Sequence, residues 1–252
     1  MAKIGFFIQS SNQELFVNNT NVLKEYYHKV ISENGYDIEL YSFVGKTDLP
    51  EGICEDGDVI YCKCSDHYPY IKYELLFSYI CNYKKYDYIL ITNNTTLTNL
   101  QFLYNVIDTV NLSYYYHVNT ITNFMNYPNG NVKLMSWSVF QHICNLYACA
   151  YYSILPVYDF FAGYGVSLEA EENTNRWLGV PEDMIIGACL FKADIKCFKI
   201  NEYCSLFEYL DAPVKKEVDW DNTLFLTLKM SAPYDYRLKH ETECIKDIIS
   251  KL

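Results

Sequence analysis

The sequence predicts an α/β fold, in which a single domain has a mostly parallel central sheet flanked by helices. Apolar segments with strand character alternate with helical patterns from residue 3 to about residue 118, which is typical of a doubly wound nucleotide-binding unit. The length of 252 residues suits one large domain with its own core. Short polar residues directly after a central apolar strand add the expectation of a ligand site.

The first elements predict a β-α-β unit. Residues 3–9 are β-branched and aromatic without helical spacing, which indicates a strand. Residues 12–34 carry apolar side chains at helical spacing and end at Asn34-Gly35, a typical helix C-terminus. Because residues 37–43 read as a second strand, we expect a right-handed crossover and parallel pairing.

The same alternation continues to the end of the first half. Residues 45–57 are rich in turn formers and are predicted to be a loop. The remaining predictions for this half are strands at 59–64, 86–92 and 113–118, and helices at 68–83 and 97–110.

The second half is less regular. An extended run breaks at Gly163 and Gly165, and NYPNGN at 126–131 predicts a turn. The helix predicted at 181–191 has acidic residues in its first turn, where the helix dipole favours them. The other predictions are helices at 136–153, 167–178 and 236–252, and strands at 195–200 and 223–229.

Composition excludes several classes of function. The net charge is −11, with 20 basic against 31 acidic residues, so we expect no nucleic-acid partner. The apolar runs are too short to predict a membrane span. Ten cysteines lie singly in apolar surroundings, which predicts reduced thiols in a cytoplasmic protein. Without a P-loop, a nucleophile elbow or a dinucleotide fingerprint, kinase, hydrolase and dehydrogenase functions lose support.

The polar cluster Thr92, Asn93, Asn94 and Thr95 follows the strand predicted at 86–92. In open α/β sheets, ligands bind outside the carboxyl ends of the strands, so this position predicts a ligand crevice. An alternative stays open, because Asn and Thr are also good helix caps and turn formers.

The order of elements resembles that of small GT-A (Rossmann-like) glycosyltransferases, of the sort found in large DNA viruses and in bacterial surface-polysaccharide clusters. In that family the strand similar to YDYIL often ends in an acidic triplet that binds a divalent cation, whereas TNNTT has no carboxylate. DFFAGYGVSLEAE resembles a small-residue turn beside the acceptor sugar, and PEDMIIGACL resembles an acidic pair at a helix start. LFLTLKMSAPYDYRLKHETECIKDII resembles the basic strand and terminal helix of the family.

The resemblance implies transfer of a sugar from a UDP-sugar donor to a hydroxyl of a glycan or a protein. Residues 1–118 would bind the donor, and residues 119–252 the acceptor. Asp183 is the candidate base, with Glu182 beside it, and a base acting in direct displacement implies inversion. Whether Mn²⁺ or Mg²⁺ takes part stays open, since either cation could bind Asn93 and Asn94 through water and the diphosphate.

The candidate donor residues lie at the expected ends of strands. Without an acidic metal ligand, the charge of the diphosphate would be met by cations or by backbone N–H groups, and Lys229, Lys72 and Arg237 are the possible cations. Lys72 and Arg237 are more readily interpreted as solvated side chains. The donor set is Gln9, Ser10, Ser11, Asp66, Lys72, Thr92, Asn93, Asn94, Thr95 and Lys229, and the acceptor set is Gly163, Tyr164 and Gly165. Because the acidic triplet is missing, two further hypotheses remain: a degenerate family member that binds glycans or nucleotides as an interaction module, and a nucleotide-binding protein unrelated to sugars.

Overall fold

The computed structural model describes residues 1–66, 69–107, 114–118, 132–150, 182–199, 204–209, 219–230 and 233–252. Within these ranges, no helix combines the length and the apolar character that crossing a bilayer requires. The predicted turn at 126–131 and the predicted helix at 167–178 lie outside the described residues.

Two sheets contain the described strands. The strands are β1 (Ile4–Gln9), β2 (Ile38–Gly45), β3 (Ile53–Asp56), β4 (Val59–Cys62), β5 (Tyr88–Asn93), β6 (Thr96–Thr98), β7 (Tyr115–Val118), β8 (Val132–Ser136), β9 (Cys197–Lys199), β10 (Cys204–Tyr209) and β11 (Phe225–Met230). The main sheet has the order β3-β4-β2-β1-β5-β8-β7-β9, and the small sheet has the order β10-β11-β6. Four of the seven pairings in the main sheet are parallel, so the predicted mostly parallel α/β sheet is confirmed.

Helices cover both faces of the main sheet. They are α1 (Glu14–Asn34), α2 (Pro69–Tyr83), α3 (Leu100–Ile107), α4 (Trp137–Ala150), α5 (Glu182–Lys192) and α6 (Tyr234–Ile249), with a short 3-10 helix at Trp220–Asn222. Successive residues of β1 point to opposite faces, so Phe6 packs with α1, α3 and α6 while Phe7 packs with α2, α4 and α5. Burial on both faces explains why β1 is apolar at almost every position.

The centre of the sheet sets the position of the site. β1 pairs in parallel with β2 on one side and with β5 on the other, and Gln9 lies across from Phe43 and Asn93. β1 and β5 therefore end at the same edge. α1 stops at Gly35, whose φ of 64° is left-handed, as the Asn34-Gly35 pair predicts.

Several short strands differ from the prediction. The predicted loop at 45–57 contains β3, and the helix predicted from residue 97 begins at Leu100, because β6 pairs antiparallel with β11. β8 and β10 were not predicted, and β8 runs antiparallel between β5 and β7. The residues of these four strands show no clear period of their own, so hydrogen bonds from neighbouring strands determine them.

Candidate functional site

A cavity of about 330 Å³ opens where β1 and β5 end. Its wall combines those strand ends with residues of α1, α2, α5 and α6. The lining residues are Gln9, Ser10, Ser11, Phe16, Asp66, Lys72, Asn93, Asn94, Thr95, Glu182, Asp183 and Arg237. The cavity therefore brings most of the predicted donor residues together with both candidate catalytic acids.

Some candidate residues lie elsewhere. Thr92 is buried inside the sheet between Ile8 and Val132, does not line the cavity, and has no hydrogen-bond partner for its hydroxyl among the described residues. Lys229 lies in β11, and its side chain is outside the described part of the structure. The acceptor candidates at 163–165 also lie outside the described residues.

Asn94 is tied to the first helix. Its Nδ2 donates to the carbonyl oxygen of Phe16 at 3.1 Å, and the same oxygen accepts from Ser10 Oγ at 3.3 Å and from Thr20 Oγ1 at 2.7 Å. The Asn94 side chain is thus oriented by α1, while Asn93 and Thr95 on either side are half-buried and line the cavity. Within the polar cluster, Asn94 thus makes a structural contact with α1, and Asn93 and Thr95 form part of the cavity wall.

Lys72 is a buried residue of the same cavity wall. Its Nζ donates to the carbonyl oxygen of Ser10 at 2.9 Å and pairs with Asp66 Oδ1 at 3.0 Å. The Asp66 carboxylate also accepts the backbone N–H groups of Asn12 and Gly45, both at 2.8 Å. Only 2% of the Lys72 side chain is exposed, so the interpretation of Lys72 as a solvated side chain is wrong. The pair joins the loops that follow β1 and β2.

Glu182 and Asp183 share a buried lysine that sequence analysis missed. Lys133 Nζ lies 2.7 Å from Asp183 Oδ1 and 3.5 Å from Glu182 Oε1, and 5.2 Å from the centre of the Tyr73 ring. Lys133 comes from β8, which is buried along its whole length. A lone lysine in the apolar run VKLMS was the available signal, because a buried charge requires a partner.

Burial raises the pKa of Glu182, because the protein interior disfavours the charged carboxylate. The positive charge of Lys133 opposes this shift, and the neighbouring Asp183 adds to it. Tyr73 connects this group to the strand edge, since its hydroxyl donates to Gln9 Oε1 at 2.9 Å.

Arg237 lies near the start of α6 and lines the cavity from the other face of the sheet. Its guanidinium donates to the carboxylate of Glu241 and lies 5.7 Å from the centre of the Phe16 ring. About a quarter of the side chain, 26%, is exposed. The side chain is held in place, which differs from the solvated arginine that the sequence favours.

The residues around the cavity do not fit a divalent cation held by carboxylates. Among the described residues there is no group of three His, Cys, Asp or Glu side chains placed to hold a metal ion. Each carboxylate in the described part of the wall is paired with a lysine, Asp66 with Lys72 and the Glu182–Asp183 pair with Lys133. Mg²⁺ and Mn²⁺ prefer carboxylate oxygens, and here the ammonium groups occupy them.

No protein-family model matches the sequence, and no curated protein matches it. Solved structures do match. A glycosyltransferase involved in the glycosylation of the major capsid of PBCV-1 is similar with a TM-score of 0.50 and 12% identity, over 96% of this chain and 98% of its own.

Two galactosyltransferases show weaker similarity. LgtC, solved with donor and acceptor sugar analogs, has a TM-score of 0.48 and 10% identity over 98% of this chain and 96% of its own. A mutant Drosophila β1,4-galactosyltransferase 7, solved with manganese, UDP-Gal and xylobiose, has a TM-score of 0.48 and 9% identity over 94% of this chain and 74% of its own. Together with the sheet order and the flanking helices, the match to the PBCV-1 enzyme shows that this chain has a GT-A-like α/β fold.

Proposed function

We propose that the protein is a glycosyltransferase that moves a sugar from a UDP-sugar to a hydroxyl of a glycan or protein acceptor. One observation carries the proposal: in a GT-A-like fold, a single cavity at the carboxyl ends of β1 and β5 is lined both by Asn93 and Asn94 and by Asp183. A donor at the strand ends would thus have a carboxylate within the same cavity.

The donor would lie along the edge formed by residues 1–118. Gln9, Ser10 and Ser11 offer polar groups for the ribose and base, and Asn93 and Thr95 offer neutral donors for the diphosphate. Asp66 has a structural role beside this, because its oxygens already accept from Lys72 and from two backbone N–H groups. The acceptor would bind with residues 119–252, and Gly163, Tyr164 and Gly165 stay candidates for contacting it.

Asp183 is the proposed base. Its carboxylate takes the proton of the acceptor hydroxyl, whose oxygen forms the new bond to the anomeric carbon. The bond from that carbon to the diphosphate oxygen breaks, and its electron pair leaves with the nucleotide diphosphate, so the anomeric configuration inverts. Lys133 orients Asp183 through the ion pair. Because the described carboxylates of the wall are paired with lysines, the mechanism derived from them contains no step through a divalent cation.

A second candidate is a binding module with the same fold that performs no transfer. The observation in its favour is that the Asp183 carboxylate is engaged with Lys133, which offsets the charge that a base uses. Such a protein would bind a nucleotide or a glycan in the cavity and leave it unchanged. Both candidates predict binding, so catalysis separates them.

The test combines calorimetry with UDP and a panel of other nucleotides and an assay of sugar release from UDP-sugars, with and without Mn²⁺. The transferase predicts that UDP binds, that the wild type releases or transfers sugar, and that Asp183→Asn abolishes the release while retaining UDP binding. Nucleotide binding with no sugar release under any condition favours the module. Absence of binding for every nucleotide contradicts the proposed donor site.

A further inference from the structure

Arg237 is held by a carboxylate that does not face the cavity. Its Nε donates to Glu241 Oε2 at 2.7 Å and its Nη2 to Glu241 Oε1 at 3.2 Å, so one edge of the guanidinium is engaged. Glu241 exposes 1% of its surface and does not line the cavity, whereas Arg237 does. Two of the five N–H groups of Arg237 are used, and the other three have no partner among the described residues.

Glu241 is itself fixed by the first helix. Asn19, which is fully buried, donates from Nδ2 to Glu241 Oε1 at 2.7 Å, and its own Oδ1 accepts from Thr242 Oγ1 at 2.7 Å. The contact joins α1 to α6 across a sequence separation of more than 200 residues. The carboxylate therefore has a single position, and it imposes one on the guanidinium.

A merely structural pair is the competing explanation, since Arg237 and Glu241 are spaced i, i+4 on one helix. However, burying a charged pair costs desolvation that the attraction often fails to recover, and apolar residues would join the two helices as well. A buried anchor that presents a guanidinium to a cavity has a clearer use in binding an anion.

Charge distinguishes Arg237 from the other cations of the site. The charges of Lys72 and Lys133 are balanced by Asp66 and by the Glu182–Asp183 pair, which are themselves part of the cavity wall. The carboxylate that balances Arg237 lies outside the wall. Among the described cations of the site, Arg237 is thus the one whose counter-charge does not itself face the cavity.

We propose that Arg237 binds the diphosphate of the donor directly, without a divalent cation, and that Glu241 is the positioning residue for it. The inference rests on the proposed donor site and specifies how that site recognises its ligand. The ligand class is a diphosphate, which a planar guanidinium contacts through two parallel hydrogen bonds. The engaged edge faces Glu241, and the remaining N–H groups are available for the ligand.

Calorimetry in EDTA with inorganic pyrophosphate, UDP and uridine tests this. Arg237→Met is expected to weaken binding of pyrophosphate and UDP by about tenfold or more, the scale of a charge-assisted hydrogen bond, and to leave uridine binding unchanged. Glu241→Gln is expected to give a smaller loss of the same kind, and Arg237→Lys an intermediate one. Lys246→Met is the matched control, because Lys246 is an exposed lysine of the same helix, paired with Glu243.

Three results would overturn the proposal: pyrophosphate binding that requires Mn²⁺, wild-type affinity for pyrophosphate in Arg237→Met, or no pyrophosphate binding by the wild type. Equal losses for uridine and UDP in Glu241→Gln would show a structural role instead. If Arg237→Met does not fold, pyrophosphate binding is measured for Arg237→Lys, which keeps the charge. Wild-type affinity of that variant would then overturn the proposal. A protein that binds pyrophosphate through Arg237 but releases no sugar refutes the transferase and leaves this anion site standing.

Discussion

The ammonium of Lys133 lies 2.7 Å from Oδ1 of Asp183, and the two side chains expose 3% and 13% of their surfaces. The same lysine also pairs with Glu182, so two carboxylates and one ammonium group lie together in a largely buried volume beside the cavity. This arrangement places the proposed base under the control of a residue from another part of the chain. It also makes the group sensitive to the loss of any member.

Replacing Asp183 by Asn is expected to lower sugar transfer by about 10²- to 10⁴-fold, the usual contribution of a general base, while UDP affinity stays within about threefold. Steady-state rates and calorimetry measure the two quantities. Asp247→Asn is the control, since Asp247 is an exposed aspartate that pairs with Lys251 near the end of α6. Sugar transfer by Asp183→Asn at the wild-type rate would show that Asp183 is not the base.

Replacing Lys133 by Met is expected to reduce the free energy of unfolding by about 3–5 kcal/mol, because two carboxylates lose their buried partner. Urea denaturation measures the loss. Lys29→Met is the control: the Lys29–Glu33 pair spans 4.0 Å with both side chains mostly exposed, and its removal is expected to cost about 0.5 kcal/mol or less. Equal stabilities of the two variants would contradict the ion-pair assignment.

Gly45→Ala is expected to destabilise the protein by about 1–3 kcal/mol through overpacking. A Cβ at this position would lie 2.8 Å from Asp66 Oδ1 and 2.8 Å from the carbonyl oxygen of Cys64, and the latter is backbone that cannot easily move. Gly52→Ala is the matched control, because its nearest contact would be Leu75 at an ordinary 3.6 Å. Thermal unfolding of both variants checks the prediction, and indistinguishable Tm values would refute it.

The raised pKa of Glu182 predicts a specific dependence of stability on pH. Between the ordinary carboxyl pKa of about 4.3 and the raised value, the native state holds a proton that the unfolded state has lost. Stability from this group is therefore lost as pH rises through that window. Glu182→Gln removes the effect, so the Tm of the wild type relative to the variant is expected to fall as pH increases from about 4.

Glu243→Gln serves as the comparison for this pH series, because Glu243 is an exposed glutamate of α6. Its Tm difference from the wild type is expected to vary little over the same range. A Tm difference for Glu182→Gln that is constant with pH would show that Glu182 ionises normally in the folded protein.

Most elements of the first half were predictable from local sequence, whereas β3, β6, β8 and β10 were not. The 21 residues of α1 display the helical period, and the capping Gly35 marks the end of the helix. β1 was recognisable as an unbroken apolar run, because both of its faces are buried. β8 has five residues and is antiparallel, and its place between β5 and β7 depends on partners remote in sequence. A local pattern carries no information about such pairings.

The clustering of strand-end residues around the cavity was predictable, because the topology of the sheet supplied the geometry. Gln9 and Asn93 end neighbouring parallel strands, so they had to share an edge. Lys133 was missed because its partner Asp183 lies 50 residues away in the sequence. Glu241 is spaced i, i+4 from Arg237, but its burial depends on Asn19, which lies more than 200 residues away. A lysine or glutamate in an apolar segment indicates that a buried charge has a partner, but the local sequence does not show which residue the partner is.

By itself, the sequence determined the alternating elements, the parallel centre of the sheet and the position of the polar residues at a strand end, since periodicity and crossover handedness are local physics. Tertiary structure alone decided which charges meet. Electrostatic pairing depends on distance in space, so only folding could bring Lys133 to Asp183, Lys72 to Asp66 and Arg237 to the rim of the same cavity.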